Sequence, residues 1–267
     1  METPPLRDGA VKHEENLALC RATLYSALAL GFRPPTEQTV ERLGSQDGIE
    51  GLADAAAFLN QNGSTTLGAA IHSLGGRAQS PPLLSASFFK LFGHTTRGIV
   101  SAYETEYGGE SIFQQPHDLG DLTGFYLAFG LTVNVNEHER ADHISCECEF
   151  LSFLAVKEAY ALAIGDPSTL EQVRKARRLV LRDHVARFVP AFSRALKTAD
   201  AEGFYGALGV LCFEFVTQEC RRLNVPLGLE SLGLRPVTDD GVPMACGAGG
   251  ECTGMPGALD PADCDRV

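Results

Sequence analysis

The chain has 267 residues, 44% of them hydrophobic and 21% charged, with a net charge of −12. That length suits one large domain or two small ones with a proper core. The acidic balance argues against a nucleic-acid partner, because such binders concentrate positive charge to meet phosphates.

The opening METPPLRDGAVKHEENLALC lacks the basic start, apolar run and small-residue cleavage site of a signal peptide. Residues 1–16 are expected to be flexible, with the folded domain over 17–235. LALCRATLYSALALGF places Leu17, Leu24 and Leu28 on one broad helical face and stops at the prolines of RPP. TEQTVERL starts a second helix with Thr36 as N-cap. Residues 49–59 and 65–74 read as helices separated by the breaker cluster NQNGS. SPPLLSASFFKLFG has proline at a helix start and an apolar face at 84, 88 and 91/92.

From Ile144 onward, apolar or small residues at 144, 148, 151, 155, 159 and 162 form a stripe with steps of three and four. This is an amphipathic helix ending near Ile164, closed by GDP. Residues 168–197 give another long helix that Pro190 should kink or break, and 203–222 a third with Phe204, Leu208, Leu211 and Phe215 on one side. No alternating strand run bounded by hairpin turns is present. The expected fold is all-α, a single globular bundle of roughly eight to ten helices. The longest apolar stretches, LYSALALGF and GFYGALGVLCFEF, fall short of the roughly 20 residues a membrane span needs. A cytoplasmic protein without membrane insertion is the reading. Residues 236–267, rich in Gly, Pro, Asp and Cys, have too few large apolar side chains to offset the entropy of ordering, so a flexible tail is expected.

Three constellations carry chemistry. HERADHISCECEF, residues 138–150, packs histidines, acids and cysteines together. Glu139, His143 and Glu147 share a helical face at spacing four, but Cys146 and Cys148 point apart and cannot clasp one ion. The plainer reading is a helix N-terminus whose acids favour the dipole, with Asp142 as cap. In the tail, Cys246, Cys252 and Cys264 offer thiolates for zinc or an iron–sulfur cluster, yet no C-x-x-C pair or tail histidine completes a set. The other five cysteines lie in helical patterns, as buried thiols do. RKARRLVLRDHVAR is basic and reads as a solvated helix face paired with acids. Hydrolase elbows, phosphate loops and dinucleotide fingerprints are absent from the sequence, so neither an enzyme nor a cofactor is expected.

Taken in order, RATLYSALALGFRPPTEQTVERL, YETEYGG (103–109), ERADHISCECEFLSFLAVKEAYA and DHVARFVPAFSRAL resemble the redox-enzyme maturation chaperones of the TorD/DmsD/NarJ type, over about residues 17–228. YETEYGG looks closest to the branch serving ethylbenzene, chlorate and selenate molybdoenzymes, the type II DMSO reductase branch. The resemblance implies an all-α, cytoplasmic, client-specific chaperone, monomeric or homodimeric. Its partner would be the apo catalytic subunit of a molybdoenzyme, often met through a twin-arginine signal peptide and held until the molybdenum cofactor is inserted. Carried over by position, Asp142 and His143 match the D-H pair, Glu139 its preceding acid, and Glu104 and Tyr107 the acidic-aromatic segment. Ala141 stands where many relatives have proline. Binding two guanidiniums and an apolar stretch needs carboxylates, for which Glu104, Glu106, Glu139 and Asp142 are candidates. It also needs apolar walls, for which Tyr103, Tyr107, Phe113 and Tyr126 are candidates. The alternative is a metal- or iron–sulfur-carrying redox accessory using the tail cysteines.

Overall fold

A computed structural model describes residues 5–60, 66–78, 80–93, 97–109, 114–134 and 140–236. The body is helical: α1 (Pro5–Gly31), α2 (Glu37–Gly44), α3 (Gln46–Leu59), α4 (Thr66–Gly75), α5 (Pro81–Phe92), α6 (Gln114–Ala128), α7 (Ile144–Ile164), α8 (Pro167–Val180), α9 (Ala186–Ala199) and α10 (Phe204–Leu223). Among the described residues, extended pairing is limited to two isolated antiparallel bridges, Tyr103 with His143 and Tyr107 with Leu234. No described helix is long and apolar enough to cross a membrane.

The helix boundaries follow local chemistry. Thr36 caps α2, its backbone N–H donating to Thr39 Oγ1 at 3.0 Å. Pro81 opens α5, and Leu84, Phe88, Leu91 and Phe92 are its buried face. α7 ends at Gly165 in the left-handed conformation, and Asp166 accepts from Ser168 N and Thr169 N to start α8. α1 begins at Pro5 rather than at Leu17, so the segment expected to be flexible is helical from Pro5. Its first turns carry Lys12, His13, Glu14 and Glu15, good helix residues without an apolar stripe to announce them.

α1 and α7 run antiparallel through the centre. Ser152 Oγ donates to Ala22 O at 2.9 Å, and Arg33 pairs with Glu149 near one end. α10 packs on α9 and α4, burying Tyr205, Leu208, Leu211 and Phe215. Between α1, α7 and α8 lies a buried carboxylate, Glu158, which accepts from Arg21 (3.0 Å), Arg174 (2.7 Å) and Arg177 (2.6 Å). Burial opposes the Glu158 charge, but Arg177, Arg21 and Arg174 outweigh it and hold its pKa below the usual carboxylate range. The basic run is therefore not one solvated face: Arg177 is buried in this cluster.

α8 and α9 are joined without a break by a π-helical turn, Leu181–Val185. Pro190 neither ends nor interrupts α9. Proline has no N–H to give the carbonyl four residues back, and that carbonyl, Ala186 O, instead accepts from Gly228 N at 2.8 Å. The approach is so close that a Cβ on Gly228 would lie 2.0 Å from Arg187 O. The chain after α10 is thereby tied back across α9 toward residues 103–109.

Candidate functional site

The site lies where residues 97–109, the start of α7, α6 and the π-turn meet. Glu104 N donates to Asp142 O and Ile144 N to Ala102 O, both at 2.9 Å, clamping YETEYGG to the head of α7. Glu104–Glu106 form one 3-10 turn, and Tyr107 N donates to Glu104 O at 3.0 Å. Gly108 follows at φ 128°, a conformation that disfavours a side chain.

Asp142 sits inside this clamp with no solvent exposure. Its carboxylate accepts from Arg140 Nε (3.0 Å), Arg140 Nη2 (2.7 Å), Thr105 N (3.2 Å) and Thr105 Oγ1 (2.7 Å). Arg140 also donates to Glu106 Oε1 at 3.2 Å and covers the Tyr103 ring at 4.9 Å. Glu106 takes further bonds from Arg97 Nε (2.8 Å) and Gln115 Nε2 (3.2 Å). Asp142 and Glu106 are thus committed to internal arginines.

The helix cap is likewise corrected. His143, not Asp142, caps α7, its Nδ1 accepting from Ser145 N at 3.2 Å. Burial first, then the charges of Arg33 and Arg140, push the His143 pKa down to about 3, so the ring is neutral at physiological pH. Tyr107 and Tyr126 are buried, with their hydroxyls donating to Ser101 O and Ala141 O, each at 2.8 Å. Glu139, Phe113 and the three tail cysteines lie outside the described residues.

Glu104 is the predicted acid that faces a hollow. Its Oε2 is hydrogen-bonded to His184 Nδ1 at 3.0 Å, and His184 Nε2 to Asp121 Oδ2 at 3.1 Å. Burial works against charge on His184, but the hydrogen bonds and charges of Glu104 and Asp121 prevail and raise its pKa. Glu104 Oε1 accepts no hydrogen bond; Arg187 Nη1 stands 3.8 Å from it and 3.7 Å from Asp118 Oδ2. The hollow here measures about 300 Å³ and is floored by Tyr107 and Phe188. A second hollow of about 400 Å³ lies across the body beside Arg33, Tyr126, Cys146 and Phe153.

Sequence reasoning missed His184 and Arg187 as site residues, although DHVARF repeats the Asp-His dipeptide of ADHIS. The π-turn turns His184 to Glu104, and no residue pattern announces that turn. Among the described residues, no three of His, Cys, Asp and Glu are grouped so as to hold a metal ion.

The family model described as nitrate reductase delta subunit matches residues 46–194, more than half of the chain and all of this clamp. The chain belongs to that family. Chaperone protein TorD of Vibrio cholerae is 28% identical to this family member over 205 residues, covering 74% of this chain and 90% of the relative. The selenate reductase assembly chaperone of Thauera selenatis is 34% identical over 121 residues, 43% of this chain and 58% of the relative. The perchlorate reductase assembly chaperone of Dechloromonas aromatica is 25% identical over 228 residues, 79% of this chain and 93% of the relative.

Proposed function

We propose that this chain is a cytoplasmic assembly chaperone that holds the apo catalytic subunit of a molybdenum enzyme until its cofactor is in place, and that it catalyses no bond-making itself. The observation that carries this reading is that proteins named as chaperones align with this chain: TorD over 74% of it, and two reductase assembly chaperones over 79% and 43%. The geometry agrees in kind. Asp142, Glu106 and Glu158 are spent on internal arginines, leaving recognition to open hollows rather than to a reacting group.

A twin-arginine leader is the part of the client this surface suits. Its guanidiniums need carboxylate or carbonyl acceptors, and Glu104 and Asp118 line the same hollow as Leu229 and Leu232. Carboxylate and apolar wall are thus within one leader's reach. Glu104 and Tyr107 are the contact residues, whereas Asp142 and His143 shape the hollow from behind.

The test is co-purification of the full chain with the catalytic subunit from cells blocked in molybdenum-cofactor synthesis. A stoichiometric complex that dissolves when cofactor synthesis is restored supports the reading. Failure to recover the subunit under either condition removes it.

A further inference from the structure

The segment after α10 returns over the site as an extended strap. Leu234 pairs with Tyr107 in an antiparallel bridge made by Gly108 N to Gly233 O (3.0 Å) and Arg235 N to Glu106 O (2.8 Å). The Arg235 side chain then folds into the turn. Its Nε donates to Thr105 O at 2.6 Å and its Nη1 to Gly109 O at 2.9 Å, with the guanidinium lying beside Gly108. Arg97 Nη1 holds the Arg235 carbonyl at 2.8 Å.

A permanent brace would bury its apolar side chains. This one does not. Leu229 is 69% and Leu234 40% exposed. The strap runs between two hollows, about 300 Å³ on the Glu104 side and about 660 Å³ on the Ile99 side, with Leu232 lining both. It is held by polar clips near Gly228 and Arg235 and is underpacked between them. Such attachment is local, and segments with few apolar contacts open well below the global unfolding free energy.

The acceptors that hold Arg235 are main-chain carbonyls, indifferent to which chain supplies the arginine. The edge at Tyr107 is likewise main chain, so it takes any extended segment by strand addition. One acceptor beside it is unused: Glu104 Oε1, buried and without a hydrogen bond, faces the adjoining hollow.

We propose that the slot formed by residues 105–109 is a docking site for an extended, arginine-bearing segment of the client, and that the chain's own Leu234–Arg235 fills it as a displaceable resident. The incoming segment replaces the strap's main-chain pairing at Tyr107, places one arginine against Thr105 O and Gly109 O, and sets a second toward Glu104 Oε1. The strap's release opens both hollows to the apolar residues that follow. This rests on the assembly-chaperone reading and adds to it a built-in competitor that sheds weak ligands.

The test uses the full-length chain and a synthetic peptide carrying paired arginines followed by an apolar stretch, with a paired-lysine peptide as control. Fluorescence anisotropy compares the unaltered chain with Arg235→Ala. Removing the competitor should tighten the arginine peptide about tenfold, as when a binding-competent state ceases to be a minority, and leave the lysine peptide unimproved. Hydrogen exchange on the unaltered chain reads the same event without a variant. Peptide binding should speed exchange at the Gly228 and Arg235 amides while Gly108 N–H, re-paired to the peptide, stays protected. Equal affinity in Arg235→Ala, or binding that leaves the Gly228 and Arg235 amides unchanged, overturns the slot. So does a peptide that binds neither protein. Recovery of the apo catalytic subunit by the unaltered chain would then leave the chaperone reading standing while the slot falls.

Discussion

Asp142→Ala separates a residue that builds the site from one that touches the client. The substitution deletes the acceptor of the Arg140 Nε, Arg140 Nη2, Thr105 N and Thr105 Oγ1 bonds. Breaking a buried ion pair by removing one partner costs about 3–5 kcal/mol, much of it from the stranded charge. Arg140 is 30% exposed and keeps Glu106, so water and that second carboxylate soften the loss. The lower end, about 3 kcal/mol, is therefore expected. Asp142→Asn retains an oxygen for Thr105 and Arg140 Nη2 but loses the charge and the acceptor of Arg140 Nε, for about 2 kcal/mol. Urea unfolding at neutral pH followed by circular dichroism measures both. The ordering Ala below Asn below the unaltered chain should appear, while leader affinity of the folded protein changes little. An Asp142→Ala protein within about 1 kcal/mol of the unaltered chain that had lost leader binding would refute the reasoning and make Asp142 a contact.

Other outcomes follow from the same geometry. Because the folded pKa of His143 is held down to about 3, the unfolded chain takes up a proton that the native state refuses as pH falls. Stability from the neutral ring is thus lost progressively below about pH 6.5, by about 2 kcal/mol at pH 5. His143→Asn, a capping residue that does not titrate, should remove that slope from urea midpoints measured across the range. Glu147 is wholly buried with both carboxylate oxygens unbonded, and burial, then Glu104 and Asp142, raise its pKa well above the usual range. Glu147→Met should stabilise by about 2 kcal/mol, the cost of an unsatisfied buried polar group. The gain should widen as pH rises above about 4.5, where only the unfolded carboxyl ionises; a destabilised variant would count against it. Gly228→Ala places a Cβ 2.0 Å from Arg187 O. It should speed exchange at the Arg235 amide while the helical signal persists, and unchanged protection there would argue against the close approach.

What was legible in the sequence was whatever a single helix decides alone. The stripe from Ile144 to Ala159 is written at the helical period, and those residues are buried in α7. α6 was not expected, because Pro116, Gly120 and Gly124 interrupt a segment whose helicity comes from packing Leu122 and Tyr126 inward. The acids were legible as acids but not as partners. Nothing in ERADH says that Arg140 turns back onto Asp142 while Thr105, far along the chain, supplies two more donors. The Asp-His dipeptide occurs at 142–143 and at 183–184. Sequence reasoning weighted the first, whereas the second supplies the imidazole that meets Glu104 and Asp121. Burial lowers the pKa of both copies, and their neighbours separate them: Arg33 and Arg140 push His143 further down, while two carboxylates raise His184. Glu104 and Tyr107, singled out from YETEYGG, both line the hollow of about 300 Å³.

The site's location depends on a helix defect rather than on loop chance. An α9 with an N–H at position 190 would satisfy Ala186 O internally and leave no anchor for the returning chain. Pro190 removes that internal donor, Gly228 replaces it, and only glycine fits so near Arg187 O. The strap so anchored reaches residues 105–109, whose turn is fixed from the other side by Asp142 at the head of α7. Two helices thus hold opposite walls of one slot, and the strap between them leaves Leu229 and Leu234 exposed. Rigid walls with a loose occupant allow exchange of that occupant without unfolding of the body. A chaperone that must hold a client and later release it requires that division of stability.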